Sequence, residues 1–330
     1  MSSIWGNAET TFFFELGPDE ILRAVDSLGL KTTGRIMQLN SMENRVYEVE
    51  IESKSENPSD HFKIVKFYRP NRWSFDQILE EHEFLLDLEE YEIPVIAPMQ
   101  FEEKTLFTDS KLNLYFTLFR KQGGRSPDEL NHEELEQLGR LLARVHNVGA
   151  QKNATHRLNI NAETFVFNNL HFLLESKKIP HYLENSFKVL LEQIYQITKN
   201  SLNNIDLLRI HGDCHLGNII KREEVLHLVD FDDFVTGPAI QDLWPAISGR
   251  DDYTVNQRRI MIEAYETIRE FNHEELRLIE VMRTFRMINF AAWIAKRYDD
   301  PAFKNAFPFF ESPTYWEERI NDFRDQLGHL

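Results

Sequence analysis

The alternation of apolar and polar side chains predicts several strands in the first third of the chain. Residues 44–52 (NRVYEVEIE) alternate regularly, which is typical of a strand with one buried face. Residues 61–68 (HFKIVKFY) are apolar on both faces and predict a fully buried strand. We expect further strands at 94–98 and 112–120, and a short helix at 17–30 before all of them.

A helical period replaces this alternation in residues 74–91. Ser74 and Gln77 are three positions apart, which is the spacing of a capping box at a helix start. The apolar stripe of this helix consists of Ile78, Leu85 and Leu88. Glu81 falls inside the stripe, so the helix is predicted to turn one carboxylate toward the protein interior.

The segment KQGGRSPDEL predicts the main internal boundary, because paired glycines and a Ser-Pro step favour loops. Most of the sequence after it has a helical pattern, which begins with residues 132–149. We therefore predict a strand-rich N-terminal lobe over 1–120, a hinge at 121–125 and a helical C-terminal lobe over 126–330.

One hairpin is predicted inside the helical half. NIIK (218–221) and VLHLVDF (225–231) are short apolar runs separated by a compact turn. A hairpin returns its two outer ends to the same side, so Asn218 and Asp230 are expected to lie close together.

Composition narrows the functional classes. The 330 residues include 25 Phe and are 42% hydrophobic, which is enough apolar material for two packed lobes. The net charge of −17 argues against nonspecific binding to nucleic acid or to an anionic membrane. It suits a cationic ligand, although an acidic surface is also common in soluble proteins.

The chain is predicted to be soluble and cytoplasmic. Its single cysteine, Cys214, excludes an intrachain disulfide and indicates a reducing compartment. No stretch is apolar enough to span a membrane, and residues 1–20 have no secretory-signal pattern. We expect a monomer.

Lys66 places a charge in a strand that is apolar on both faces, which is costly unless the ammonium is paired. Glu81 has the same difficulty on the following helix, and an ion pair between the two would relieve both. Alternatively, Lys66 lies in an edge strand and extends to solvent, while Glu81 borders the stripe. These residues alone leave both interpretations open.

The segment RIHGDCHLGN (209–218) carries the densest set of reactive side chains. Phosphoryl transfer requires a carboxylate that takes the proton of the acceptor hydroxyl, and oxygen ligands for magnesium. Asp213, then Asn218 five residues later, then Asp230 after the hairpin follow the order of the protein-kinase signature. His211 holds the place of the histidine in that signature, so we place it among the catalytic residues and expect it to brace the loop.

Two other chemistries fit this segment less well. Zinc at His211, Cys214 and His215 would require a ligand spacing that matches no closed structural site. A nucleophilic Cys214 would have no evident base beyond these histidines, and a lone cysteine is more often a buried packing residue.

The kinase pattern has two departures. No glycine-rich loop stands between the first two predicted strands, where LNSMENRVYEV (39–49) is found instead. Ser41 and Asn44, with nearby backbone amides, would have to cap the nucleotide phosphates. The interval between Asp230 and Asp242 is also too short for a long phosphorylated activation segment.

These departures themselves resemble a known group of proteins. LGRLLARVH, HGDCHLGN, VDFDD and QDLW resemble motifs of the aminoglycoside phosphotransferase and choline kinase superfamily, which uses the kinase fold without the glycine-rich loop. Longer segments, including IVKFYRPNRWSFDQILEEHEFLLDL, DDFVTGPAIQDLW and DPAFKNAFPFF, resemble the bacterial stress response kinase A family. The resemblance implies an α+β, protein-kinase-like two-lobed fold and serine/threonine protein kinase activity in survival of stress.

Carried over by position, the resemblance implies Asp213 as the proton acceptor, with Asn218 and Asp230 as magnesium ligands. Asp232 and Asp233 receive no assured role. Asp232 could reach a second metal, but structural roles are favoured for both, and for Asp242 at its helix start.

The resemblance also implies a nucleotide site. It places the ATP phosphates at Ser41 and matches Lys66 and Glu81 to the phosphate-holding lysine and its partner. We expect adenine against the linker near Phe119, over residues 119–122.

We therefore expect a kinase that uses ATP and Mg²⁺ and phosphorylates a protein hydroxyl. The alternative is a small-molecule kinase for an aminoglycoside or another hydroxylated cation, which predicts a compact, acid-lined cavity beside Asp213. A third hypothesis is an inactive nucleotide-binding regulator, against which the intact Asp213, Asn218 and Asp230 argue.

Overall fold

A computed structural model of the protein describes residues 16–330. Residues 1–15 belong to the predicted N-terminal lobe and to the segment inspected for a secretory signal, and they lie outside the described residues.

Residues 16–120 build an antiparallel sheet, in the order β1-β2-β3-β5-β4, with two helices. These elements are α1 (Pro18–Asp26), β1 (Thr32–Gln38), β2 (Arg45–Ile51), β3 (Phe62–Phe67), α2 (Phe75–Glu90), β4 (Phe107–Thr108) and β5 (Tyr115–Arg120). Strand β3 is central, and Lys66 stands between Val46 of β2 and Thr117 of β5. Lys66 is therefore not on a sheet edge, which removes the alternative in which its side chain extends to solvent.

The predictions for β2, β3 and the capped helix α2 are confirmed, and Ser74 and Gln77 form the expected capping box. The predicted strand at 94–98 is wrong, because this segment makes only isolated bridges at Val95 and Pro98. Proline lacks the N–H group that a regular ladder needs. Strand β1 was not predicted, since its residues are largely exposed and lack regular alternation.

The predicted hairpin is present as β7 (Ile219–Arg222) and β8 (Val225–Leu228). It is shorter than expected, because residues 231–233 form a 3₁₀ turn instead of continuing the strand. The amide of Val229 donates to the carbonyl of Asn218 at 3.0 Å. Because Val229 directly precedes Asp230, this bond holds Asp230 close to Asn218. Both metal-ligand candidates therefore lie at the open end of the hairpin.

The remainder of the chain is mainly helical. Its helices are α3 (His132–Gly149), α4 (Asn168–Glu175), α5 (His181–Thr198), α6 (Ile240–Leu243), α7 (Asp252–Glu266), α8 (Ile279–Arg297), α9 (Pro301–Ala306) and α10 (Pro313–Leu327). A small sheet pairs β6 (Leu208–Ile210) with β9 (Val235–Gly237). Strand β6 leads directly into the segment 211–218, and one large apolar core supports it from below.

The segment predicted as a hinge is held against the hairpin. Arg125 and Lys221 exchange backbone hydrogen bonds of 3.1 and 2.9 Å. Gly124 has a φ of 143°, and a Cβ atom there would stand 2.7 Å from the Lys221 carbonyl oxygen. Glycine is required at this close approach. The division into lobes at this segment stays a prediction.

The helices of residues 16–330 include none with both the length and the apolar composition needed to cross a membrane.

Candidate active site

Lys66 is buried and lies among three carboxylates. Its Nζ atom is 3.5 Å from Glu81, 3.4 Å from Asp230 and 3.0 Å from Asp232. Burial alone would lower the pKa of Lys66, but the charges of Asp232 and Glu81 outweigh it and hold that pKa well above its usual value. The ammonium is therefore charged and fixed in place.

Glu81 is fixed from its other side. Its second carboxylate oxygen accepts a hydrogen bond of 2.7 Å from Arg157, whose guanidinium also donates to the Asp232 carbonyl at 2.8 Å. The neighbouring Glu80 points elsewhere and accepts backbone hydrogen bonds from residues 155–157. The structure thus brings Glu81, and not Glu80, to Lys66, as the apolar stripe of α2 predicted.

Asp232 is a structural anchor between the two ends of the site. It pairs with Lys66 and, through its other oxygen, with the guanidinium of Arg72, which also pairs with Asp233. Asp232 is 3% exposed. Its oxygens therefore face cations that hold the fold together, and the structural roles favoured for Asp232 and Asp233 agree with this geometry.

The segment 211–218 is braced from inside the protein. His211 is fully buried, and its Nε2 atom lies 2.9 Å from the carbonyl oxygen of Val229. Its ring packs on Phe231 with 4.4 Å between the ring centres. His211 does not line the cleft, so we correct its placement among the catalytic residues: it positions the loop.

Asp213 meets a cation that was not predicted. Arg286 of α8 forms an ion pair with one carboxylate oxygen, and His215 Nε2 lies 3.4 Å from the other. Burial acts to raise the pKa of Asp213, but the His215 hydrogen bond and the Arg286 charge outweigh it and hold that pKa well below its usual range. Arg286 therefore occupies one side of the Asp213 carboxylate.

Asn218 and Asp230 present oxygen atoms suited to a hard cation. Asn218 donates through Nδ2 to the Asp213 carbonyl at 3.0 Å, which directs its amide oxygen the other way. Asp230 has a left-handed backbone (φ 61°, ψ 64°), rare for a residue other than glycine, and its side chain is 53% exposed. An amide and a carboxylate oxygen fit magnesium, which keeps several water ligands of its own.

No group of three or more His, Cys, Asp or Glu side chains within residues 16–330 is arranged as a metal site. Cys214 is fully buried, and burial raises the pKa of its thiol well above the usual value. A thiol of this kind is a poor nucleophile. The zinc and thiol alternatives therefore receive no support from the geometry.

These side chains share one cleft of about 390 Å³. Asp213, Asn218, Asp230 and Ser41 all line it, and Lys66 reaches it through Asp230. The α8 side of the cleft is largely apolar and aromatic: Met282, Phe285, Phe290 and Trp293.

The loop between β1 and β2 covers this cleft and is tied down by Glu43. The Glu43 carboxylate pairs with Arg297 of α8 at 2.7 Å and accepts a hydrogen bond of 2.6 Å from the Trp293 indole. Burial would raise the pKa of Glu43, but Arg297, Arg72 and Arg69 lower it to about 2. Ser41 is thereby held at the cleft by an anchor that the sequence did not reveal.

Two predicted nucleotide contacts do not face the cleft. Asn44 is 3% exposed, and its side-chain oxygen accepts a hydrogen bond of 3.0 Å from the Arg69 amide. It shapes the loop around Ser41, so the prediction that Asn44 caps phosphates is corrected. Phe119 pairs with Ile64 inside the sheet and packs on the large apolar core without lining the cleft.

Several site residues were missed because their partners are distant in sequence. Arg72, Arg157 and Arg286 each pair with an acidic residue 73 or more positions away. Only Arg72 had a usable signal, since it lies beside the strand that carries Lys66.

Proteins of similar sequence match nearly the whole chain. The sequence model of the phosphotransferase enzyme family matches residues 35–279. Stress response kinase A of Escherichia coli O157:H7 is 38% identical over 319 residues, which cover 96% of this chain and 94% of that protein. Serine/threonine protein kinase RdoA of Salmonella typhimurium LT2 is 36% identical over 324 residues, covering 98% and 96%.

A solved structure shows the same architecture. Amicoumacin kinase hAmiN, in complex with AMP-PNP, Ca²⁺ and Ami, superposes with a TM-score of 0.69 at 18% identity, covering 92% of this chain and 94% of that one. This likeness concerns the fold, and it confirms the predicted α+β, protein-kinase-like class.

Proposed function

Since this chain belongs to the phosphotransferase enzyme family and is a kinase like its stress response kinase A relatives, we propose that it transfers the γ-phosphoryl group of Mg-ATP to a serine or threonine hydroxyl of a protein. The observation that carries this proposal is the convergence of Lys66 on Asp230 at 3.4 Å, in the cleft that Asp213 and Asn218 also line. A role in the bacterial stress response is part of the proposal.

Each side chain has a distinct task in this reaction. Lys66 holds the phosphates that do not react, and the loop at Ser41 covers them. Asn218 and Asp230 would hold magnesium, which neutralises charge on the phosphates. Asp213 orients the acceptor hydroxyl, and takes its proton as the new oxygen–phosphorus bond forms and the bond from the γ-phosphorus to the bridging oxygen breaks. The electron pair leaves with ADP.

The ion pair between Asp213 and Arg286 sets a condition for the reaction. Asp213 is bound to Arg286 in the structure, and a carboxylate held by a cation is a weak base. A productive acceptor must therefore draw Arg286 away from Asp213 or share the carboxylate with it. The acceptor takes part in preparing its own base.

The small-molecule alternative predicted an acid-lined cavity that would attract a hydroxylated cation. The cleft does contain Glu43 and Asp233 besides the catalytic carboxylates, but both are paired with arginines. Arg286 also stands beside Asp213. The carboxylates of the cleft are thus compensated by bound cationic side chains and offer a cationic acceptor little unpaired charge, which supports a protein acceptor over an aminoglycoside or choline-like one.

A transfer assay with γ-labelled ATP and magnesium tests the proposal. We expect label on a general acceptor protein or on the enzyme itself, and no label with an Asp213→Asn variant. A panel of hydroxylated cations, including choline and an aminoglycoside, is assayed beside the proteins. Rapid turnover of one such metabolite without labelling of any protein would contradict the proposal.

A further inference from the structure

A second cavity of about 490 Å³ adjoins the catalytic cleft. Arg286 and Phe290 line both cavities, so α8 forms the ridge between them. The second cavity is also lined by Arg283, Arg319 and Trp244, and within residues 16–330 no aspartate or glutamate contributes to its lining. We name it the arginine groove.

The arginines of this groove are held by different means. Arg283 lies over the Trp244 ring at 4.9 Å and donates to the Ser248 carbonyl at 2.6 Å. It also donates to Glu280, at 3.1 Å, a carboxylate outside the lining. These contacts fix its guanidinium plane at the wall of the groove.

Arg319 comes from α10 on another side of the groove. It pairs with Asp322 at 2.7 Å through one terminal nitrogen and lies 5.3 Å from the ring of Tyr315. Its Nε atom is buried without a hydrogen-bond partner in residues 16–330. The side chain as a whole is 31% exposed, so an anionic group can reach the guanidinium from the groove.

Such a site is unexpected in a protein with a net charge of −17. Three arginines from two helices line one groove, each has a carboxylate partner outside the lining, and a ligand carboxylate could pair with the same guanidinium groups. Phe290, which is 45% exposed, adds flat apolar surface on which a peptide backbone can lie, whereas Trp244 is buried beneath Arg283. The groove is thus complementary to an acidic peptide.

We propose that the arginine groove binds acidic side chains that flank the acceptor serine or threonine, an inference that rests on the proposed protein kinase activity. Arg283 is one helical turn from Arg286, or about 5 Å along the axis. An extended peptide rises about 3.3 Å per residue. An acidic residue about two positions from the acceptor hydroxyl would therefore meet these arginines.

This arrangement links recognition to the chemical step. A carboxylate of the acceptor protein that pairs with Arg286 competes with Asp213 for the same guanidinium. Asp213 then becomes free to receive the hydroxyl proton. Acidic flanking residues would act on catalysis as well as on binding, whereas basic ones would meet repulsion from the groove.

Three matched peptides test this inference. Each contains one serine, flanked at positions two and three on both sides by glutamates, glutamines or lysines. We expect kcat/KM for the glutamate peptide to exceed that for the glutamine peptide about tenfold, with the lysine peptide lowest. A rise in ionic strength should reduce this preference, because the groove is exposed to solvent.

Arg319→Gln tests peptide binding separately from the chemical step, since Arg319 lies away from Asp213. This variant should raise KM for the glutamate peptide about three- to tenfold and leave kcat for it nearly unchanged. The matched variant Arg324→Gln, on the exposed face of the same helix, should change neither parameter. Circular dichroism and thermal unfolding identify any variant that fails to fold.

The outcomes separate the two proposals. If a neutral peptide or a general acceptor protein is phosphorylated, but glutamate and glutamine peptides react equally, the inference fails and the kinase activity stands. If no protein or peptide is phosphorylated, the proposed function fails. A fluorescently labelled peptide in which alanine replaces the acceptor serine cannot be phosphorylated. Its fluorescence anisotropy therefore measures binding alone.

Two other occupants would also overturn the inference. Binding of a phosphorylated peptide with no binding of the glutamate peptide would replace carboxylates by phosphate. Self-association of the protein in sedimentation, abolished by Arg319→Gln, would assign the groove to a second copy of the chain.

Discussion

The carboxylate of Asp242 accepts a hydrogen bond of 2.7 Å from the backbone amide of His211. It also accepts one of 2.8 Å from Gly212 and lies 3.2 Å from the His146 ring. Asp242 is fully buried, so one carboxylate at the start of α6 determines where the loop that carries Asp213 begins.

Asp242→Asn should disturb this loop without changing its shape greatly. Its amide nitrogen would face a donor where an oxygen now accepts, and a mismatched buried polar group costs about 1–3 kcal/mol. We expect the free energy of unfolding to fall by that amount and kcat to fall more than KM for ATP changes. Urea unfolding and steady-state transfer kinetics measure the two effects. Unchanged kcat would show that the loop does not depend on this anchor.

Asp213→Asn should remove the proton acceptor and leave the fold intact. Loss of a general base lowers the rate by about 10²–10⁴-fold, while ATP affinity should stay within about twofold. The free energy of unfolding should change by less than about 1 kcal/mol, because Arg286 is partly exposed and can be solvated. Full transfer activity in this variant would remove Asp213 from its assigned role.

Lys66→Met should affect both stability and nucleotide use. It leaves Glu81 and Asp232 without their shared cation, and breaking a buried pair typically costs about 3–5 kcal/mol. We expect a lower midpoint of urea unfolding and a higher KM for ATP. Lys63→Met is the matched control on the same strand, because Lys63 bonds to backbone carbonyls, at 2.7 Å for Asp60. Equal effects of the two substitutions on stability and on KM for ATP would contradict the role assigned to Lys66.

Asn218→Ala should weaken the proposed magnesium site. We expect the Mg²⁺ concentration for half-maximal transfer to rise about tenfold, which corresponds to about 1.4 kcal/mol. Excess Mg²⁺ should restore most of kcat, and chelation with EDTA should abolish transfer in both proteins. A variant that titrates with Mg²⁺ as the wild type does would exclude Asn218 as a ligand.

His82 predicts a pH dependence of stability. It is 1% exposed, between the hydroxyls of Tyr68 and Thr105 at 2.8 Å each. Burial, together with the charges of Lys66 and Arg157, lowers the pKa of His82 from 6.5 to about 3. Between these values the unfolded chain binds a proton that the folded chain does not, so stability falls as the pH drops below 6.5.

The size of this effect follows from the two pKa values. At pH 5.5 the His82 contribution is about 1.4 kcal/mol smaller than at pH 7.5. Urea unfolding of the wild type and of His82→Gln at both pH values isolates it, since other groups titrate in both proteins. The stability difference between the two should shrink by about 1.4 kcal/mol at the lower pH. A difference that does not vary with pH would mean that the pKa of His82 is the same in the folded and the unfolded chain.

The sequence predicts those parts of the site that obey local rules. Lys66 and Glu81 could be paired because each is costly to bury alone. Asn218 and Asp230 could be brought together because a hairpin returns its ends to one side. Ion pairs such as Arg286 with Asp213 have no local signal, since the packing of a distant helix creates them.

The lack of local signals for distant contacts also explains why strand β1 and the contact of Asn44 could not be predicted. Strand β1 is mostly exposed and has no apolar alternation, so only its pairing with β2 defines it. The place of Asn44 in the loop predicts a phosphate contact, but its side-chain oxygen accepts a hydrogen bond from the amide of Arg69, 25 residues later. Position in a motif indicates a neighbourhood and does not fix a side-chain direction.

The anchoring of Glu43 bears on the design of inhibitors. Moving this loop outward would separate Glu43 from Arg297, and breaking this buried ion pair would cost several kcal/mol. Compounds that bind by displacing a flexible glycine-rich loop would meet an anchored loop in this protein. Selective compounds for this enzyme should instead be flat enough to bind in the cleft without displacing this loop.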